Sequence, residues 1–486
     1  MTKGLHKNSA LRILRTQSGT MNLTELLDNT AARWPQKPAL IEESAVVSYA
    51  ELVQQTNGLA AKLQSLGITY GGRIGLAFPN GVSYVALTFA LWRVKAVVVP
   101  IPTECTEDEI AELAATMQLE AILSQQSRGE SVTLAADCFF TRLNPLSPSD
   151  NHGLNLAFIR FTSGTTSVRK GVALAHETIR DRVLFANQAF GIGPEDTVIW
   201  CLPMAHHFLI TIVLYLSVGA TIVLARHVLA RPFLEAIHRW RGTVLYAAPF
   251  HFAMLAHDNS GAQIPSVRLA VSTTCTLPQD VSEDFFKRFG IALAQALGVI
   301  ELGLVSLNTG DPRGRWNSVG RPAGDLQVRI TDPDENGCGE LAVSGPGIFD
   351  AYVAPWIPRD QVLRDGWFYS GDIGSLDADG FLFLLSRKTA VINLAGRKVF
   401  PEEIESVINR HPAVRESRVY GKPHAHLGEV VEAEIVLASP DGSLDSVRAF
   451  CRDHLASYKI PMRFFLVSTL PRTPVTGKIR RAAAAA

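Results

Sequence analysis

The sequence predicts an α/β fold in which a large N-terminal domain is followed by a small α+β domain. Three observations carry this. Between Asn22 and Leu123, and again between Thr197 and Leu307, short apolar strands alternate with helix-like stretches, the rhythm of a layered α/β protein. Several of those strands are apolar throughout, as strands covered on both faces are. Two changes of texture follow: short strands and turns set in after Gly310, and a basic, Gly-punctuated segment opens near Arg387.

The elements follow in chain order. Leu23 to Arg33 and Tyr49 to Leu66 carry helix-like patterns, and Arg73-Ile74-Gly75-Leu76-Ala77 and Ala96 to Ile101 read as buried strands. Phe208 to Ala225 is a stretch of 18 residues without a charge. It falls short of the ~20 that a membrane span wants, and Ser217-Val218-Gly219-Ala220 breaks it into an apolar run and a β-branched run. We therefore expect a buried helix, a turn and a core strand there, and no membrane span. The strands VIWCLP, ATIVLA, VLYAAP, VRLAVST and IALAQAL surround it, with a helix around Phe233 to Arg241. DLQVRITDPDENGCGELAVSGPG reads as antiparallel strands joined by turns, and IESVINRHPAV, EVVEAEIVLA and DSVRAFCRDHLA as the helices and strands of the small C-terminal domain. No internal repeat is visible.

Composition narrows the function. The 486 residues, 47% hydrophobic and 19% charged, are those of a compact globular protein with room for a substantial core. Lys plus Arg (46) cancels Asp plus Glu (46), leaving no global basic field for nucleic acid or an anionic membrane. The six cysteines are scattered, without a CxxC pair or a neighbouring His at zinc spacing. We expect free thiols in a reducing compartment and, with no apolar run of signal-peptide length at the N-terminus, a cytoplasmic protein.

The most informative stretch is Phe161 to Gly171, FTSGTTSVRKG. Thr162, Ser163, Thr165 and Thr166 surround Gly164, and Lys170 follows. Small side chains let backbone N–H groups and hydroxyls close around phosphate oxygens while one lysine neutralises charge. The competing reading is a solvated Ser/Thr turn. The pattern is not GxxxxGK[ST], because Arg169 stands where the second glycine belongs.

Together with SYAEL, LPMAHHF, GWFYSGDIG, SRKTAVINLAGRKVFPEEIE and LPRTPVTGKIRR, in that order around it, this loop resembles the adenylate-forming superfamily of acyl-CoA synthetases, aryl-acid adenylating enzymes and adenylation domains. The resemblance covers essentially the whole chain. It implies an N-terminal domain (1–386) of two helix-flanked sheets plus a β-rich subdomain (310–386), hinged to a mobile C-terminal domain (387–486). It implies ATP and Mg²⁺, with CoA or a phosphopantetheine arm as the thiol: a carboxylate forms an acyl-adenylate, and a thiol then displaces AMP. Carried over residue by residue, Thr162 to Thr166 and Lys170 hold the phosphates, Glu301 binds Mg²⁺, and Asp372 accepts from the ribose hydroxyls. Arg387 reaches ribose or phosphate, and Lys478 bridges the carboxylate and α-phosphate. His206 is either a gate beside the acyl carboxylate or a core histidine, and His207, Ser272 and Ile300 fall in the acyl pocket.

The pattern also departs from the family's. Thr273-Thr274-Cys275 replaces a Gly-Gly strand end against adenine, Leu297 the stacking aromatic, and Ile300 a threonine. Thr389 stands at a hinge Asp or Lys and Asn393 at a lysine, with Lys398 as a nearby cation. No obligatory charge is lost, so we expect an active enzyme; the alternative is a nucleotide-binding protein without ligase activity. His206-His207-Phe208-Leu209 holds no carboxylate for an ammonium, which argues against amino acids and leaves an aryl or a short to medium aliphatic acid. An acyl carrier protein is a further partner to weigh, and Arg410, Arg415, Arg418 and Lys422 are candidate docking cations for either a carrier protein or the adenosine end of CoA. Both monomer and homodimer stay open.

Overall fold

The computed structural model describes residues 21–68, 70–144, 150–161, 170–225, 229–394, 397–424, 428–439, 442–472 and 479. These gather into two compact units: one of the described residues up to 161 with 170–326 and 344–362, the other of 327–343 and the described residues from 363 onward. The β-rich region after residue 310 is thus divided between them.

The first unit is built on two nine-stranded sheets. At the centre of one, Pro38–Glu42, Thr221–Leu224, Thr197–Trp200, Val244–Ala247, Leu269–Ser272 and Leu293–Val299 run parallel. Trp200 lies opposite Tyr246, and Ala247 opposite Ser272, so the carboxyl ends of three neighbouring strands meet at one edge. That is where open α/β sheets bind ligands. In the other sheet Leu156–Phe161 sits between Val97–Pro100 and Gly171–Ala175. Most central strands are buried along their whole length, as their apolar runs require.

The helices form for local reasons. Ser48 and Glu51 make a capping box that starts Tyr49–Ser65, each satisfying a backbone N–H that the first turn leaves over. His176–Phe190 has alanine at its N-cap and no local cap. Distant Asp350 takes over, accepting from the Ala175 N–H at 2.7 Å and the Thr178 hydroxyl at 3.0 Å. The charge-free stretch folds as expected: a π-helical turn, Phe208–Ile212, runs into the helix Val213–Ser217, and a turn leads to the buried strand Thr221–Leu224. Among the described residues no helix is long and apolar enough to cross a membrane. All six cysteines are free thiols.

The second unit holds a four-stranded sheet, Gln327–Thr331, Gly339–Ser344, Phe368–Leu376 and Leu382–Arg387, and a five-stranded one. In the latter the long hairpin Val414–His424 with Gly428–Leu437 is packed by Pro401–Ile408 and Leu444–His454. Ile404, Ile408, Val419, Ala433, Ile435, Val447 and Cys451 form its core.

Candidate active site

In the first unit the chemistry collects around Glu301. It follows the strand Leu293–Val299 in a tight turn, is 9% exposed, and accepts a hydrogen bond from the Tyr352 hydroxyl at 3.0 Å through Oε1. Lys170 lies over the ring of the same tyrosine, 5.1 Å from its centroid. Two residues far apart in sequence are thereby brought to one corner by a third that the motifs did not single out. Burial and the neighbouring carboxylate push the Tyr352 hydroxyl well above its ordinary range, so it stays a donor.

The backbone that carries Glu301 is held by Arg182. This guanidinium, buried on the inward face of the helix His176–Phe190, donates from Nε to the Gly347 carbonyl at 2.6 Å and from Nη1 to the Ile300 carbonyl at 2.9 Å. Nη2 donates to the Glu301 carbonyl. Two glycines make room for it. A Cβ on Gly303 or on Gly347, both with φ near +80°, would meet the arginine stem at 3.0 Å. Arg182 falls at the apolar spacing of Ile179, Val183 and Ala186, and a lone arginine on such a stripe is the signal that could have found it.

His206 and His207 end the short helix Met204–His207. Both are half-buried. The His207 ring stands edge-on to Trp200 at 6.5 Å and to Tyr246 at 6.4 Å, while Trp200 and Tyr246 stack at 5.8 Å. His207 is thus a wall beside the strand ends. Ser272, at the end of the next strand, is fully buried, and its hydroxyl has no partner among the described residues. Ile300 is half-buried and contributes its carbonyl to Arg182. Thr274 adopts φ +77°, a left-handed conformation that costs a β-branched residue strain.

In the second unit Asp372 and Arg387 are direct partners across an antiparallel pair. Arg387 Nε lies 2.8 Å from Asp372 Oδ1, with the aspartate buried and the arginine largely exposed. Lys398 lies opposite Asn393 in the register of Ile392–Leu394 and Arg397–Val399, so the cation and the asparagine that replaces the family's lysine are paired positions. Arg418 corrects an expectation. It is 2% exposed and paired with Glu434 at 3.0 Å, so it is no surface docking cation. Thr162, Ser163, Gly164, Thr165, Thr166 and Lys478 lie outside the described residues.

Comparison with known proteins bears on the family and the fold. The family model described as AMP-binding enzyme matches residues 27–353, and that of the AMP-binding enzyme C-terminal domain matches 403–478. The chain is 27% identical to a long-chain-fatty-acid–CoA ligase of Salmonella typhimurium, over 95% of this chain and 93% of that one. It is 27% identical to a sulfoacetate–CoA ligase of Cupriavidus necator, over 94% and 96%. In fold it is similar to the o-succinylbenzoate CoA synthetase of Bacillus subtilis in complex with its acyl-adenylate intermediate (TM-score 0.83, 24% identity, 94% and 96% covered). The ATP-bound MatB of Rhodopseudomonas palustris is similar too, with TM-score 0.81, 24% identity, and 95% and 97% covered. With both family models matched in order and more than half of its length within the first, the chain belongs to the AMP-binding enzymes and is an acid–thiol ligase.

Proposed function

We propose that the protein activates a small carboxylic acid as its acyl-adenylate with ATP and passes the acyl group to CoA. The observation that carries this is the corner at which Lys170, Tyr352 and Glu301 converge, a cation, a neutral donor and a buried carboxylate. In the first half-reaction a carboxylate oxygen attacks the α-phosphorus and the bond to pyrophosphate breaks. Anionic oxygens crowd one centre, so fixed cations aimed at them lower the barrier. Thr162 to Thr166 and Lys170 would bind the phosphates, and Lys478 would bridge the carboxylate and the α-phosphate. Glu301 would hold the Mg²⁺ of Mg-ATP, since one carboxylate plus nucleotide phosphates is a donor set that suits this ion; the ion supplies charge neutralisation. Tyr352 orients that carboxylate, and Arg182 fixes its backbone. Asp372, held ready by Arg387, would accept from the ribose hydroxyls. His206 would gate the acyl carboxylate, with His207, Ser272 and Ile300 around the acyl group.

In the second half-reaction the thiol sulfur attacks the acyl carbon and AMP leaves. Movement of residues 387–486 about a hinge at Arg387 would exchange Lys478 for the thiol's path. CoA is the favoured acceptor because relatives matched over nearly the whole chain are CoA ligases. The test is pyrophosphate release with ATP, Mg²⁺ and hydroxylamine across aryl, aliphatic and amino acids. Release with one acid class is expected. Silence across the panel, with ATP still bound by calorimetry, would overturn the ligase reading in favour of nucleotide binding alone.

A further inference from the structure

Among the described residues Arg160 is a cation with no ion-pair contact. It lies on the strand Leu156–Phe161, and the residues in electrostatic range of it are Glu301, Tyr84 and Tyr246, so it sits between the two sheets of the first unit. Among the described residues its buried Nε has no acceptor and no ion pair engages its guanidinium. Glu301 favours its charge through space but does not touch it: the two form no salt bridge, and Oε1 of that carboxylate is taken by Tyr352. Nearby Arg182 adds a second positive charge, which lies in electrostatic range of Asp350 and Glu301. Burial has already pushed Arg160 down to about 10, yet it is charged at neutral pH. Arg160 is half-buried, with Nε shielded from water, and such a charge gains from a counter-charge that arrives beside it.

The surroundings say what kind of counter-charge. Tyr84, Trp200 and Tyr215 are fully buried, and Tyr84 OH, Trp200 Nε1 and Tyr215 OH have no hydrogen-bond partner among the described residues. They belong to one cluster: Trp200 packs on Tyr215 at 6.2 Å and on Tyr246 at 5.8 Å, and both Tyr84 and Tyr246 lie in range of Arg160. An indole N–H can only donate, and a guanidinium can only donate. Orphaned buried groups are rare, and here every one of them can donate, the phenols included. One cation, one indole N–H and two phenols between aromatic walls suit a single compact anion on a carbon skeleton; a triphosphate wants several cations and backbone donors.

Resting on the ligase reading above, we infer that the acid this enzyme activates carries a second anionic group at its far end, which Arg160 receives together with Tyr84, Trp200 and Tyr215. The far end of a plain alkyl or aryl acid would leave these donors unpaired, the situation in which a polar site rejects an analogue strongly. The experiment compares length-matched acids, glutarate against valerate and monomethyl glutarate, by acid-dependent pyrophosphate exchange and by calorimetric binding. Wild type, Arg160→Lys and Arg160→Gln are measured side by side. Glutarate is expected to exceed valerate at least 100-fold in kcat/KM, a preference reduced in Arg160→Lys and abolished in Arg160→Gln, with KM for ATP unchanged.

Equal use of valerate and glutarate by the wild type overturns the inference and leaves the ligase reading intact. A raised KM for ATP with an unchanged acid preference in Arg160→Gln also overturns it, and assigns the cation to the nucleotide. Glutarate binding that is lost in Arg160→Gln, without turnover of any acid, would uphold the anion site while refuting the ligase reading. No calorimetric binding of glutarate to the wild type at millimolar concentration overturns the anion site.

Discussion

Replacing Arg182 by methionine isolates the contribution of the residue that holds Glu301 in place. The arginine spans the carbonyls of Gly347, Ile300 and Glu301 from a buried position. Each acceptor left unpaired costs about 1–3 kcal/mol, and methionine fills the space of the stem without supplying a donor. Relief from burying the guanidinium offsets part of the sum, so a net loss of about 4 kcal/mol is expected, within the range seen when one partner of a buried charged network is removed. In thermal terms that is roughly 6 °C for a unit of this size. Urea denaturation gives the stability, and pyrophosphate exchange measured well below the melting point gives the function. The exchange rate should fall more than 10-fold, because the backbone of the turn that carries Glu301 is released.

Gly347→Ala supplies the cross-check. In the wild-type background it incurs both the φ +78° penalty and a 3.0 Å contact with Cγ of an arginine anchored through its guanidinium; beside Arg182→Met the Cγ is free to shift, and the contact is relieved. The double-mutant coupling should be at least about 1 kcal/mol. An Arg182→Met protein within 1 kcal/mol of wild type, or one with undiminished exchange, would refute the reasoning.

Three further outcomes are expected. His176 is buried and neutral, its ring pushed down to about 4 by burial, and its Nδ1 accepts from the Leu23 N–H at 3.1 Å. The unfolded chain takes up the proton at about 6.5, so stability is full above that pH and falls by about 3 kcal/mol as pH drops toward 4; a flat urea midpoint between pH 7 and pH 5 would contradict this. Glu405 has the opposite sign. Burial raises its carboxyl to about 7, so from about 4.5 upward the unfolded chain ionises first and the fold loses about 3 kcal/mol by pH 7. Glu405→Gln should remove that dependence from the melting of the second unit, followed by hydrogen exchange of Val414–His424 amides. Thr274→Gly should stabilise by about 1 kcal/mol, since relief of the left-handed strain exceeds the entropy glycine adds to the unfolded chain; a lower denaturation midpoint would contradict it.

Much of this architecture is legible in the amino-acid order because one physical signal dominates each element. Tyr49–Ser65 announces itself by its capping box, and strands such as Val97–Pro100 by β-branched runs too short for a helix. The charge-free stretch from Phe208 was readable because Gly219 and its neighbours interrupt it. The site was legible only in part. Motifs name Glu301, Lys170, Asp372 and Arg387, but not the tyrosine that joins the first two or the cross-strand register that joins the last two.

Arg182 and Asp350 act on backbone groups more than a hundred residues away, a relation no local pattern encodes. Arg418 shows the converse error. Ser417, Arg418 and Val419 are consecutive and all buried, so this stretch of the strand is covered on both faces, and the positive charge of Arg418 alone does not mark a surface position.

The central claim is that this chain forms an acyl-adenylate at the corner built around Glu301. Acid-dependent exchange of labelled pyrophosphate into ATP, run on the wild type and on Glu301→Gln with CoA omitted, tests it most directly. Exchange that requires an acid and falls at least 100-fold in the variant is the predicted result. Exchange that proceeds without any acid, or that survives Glu301→Gln unchanged, would contradict it.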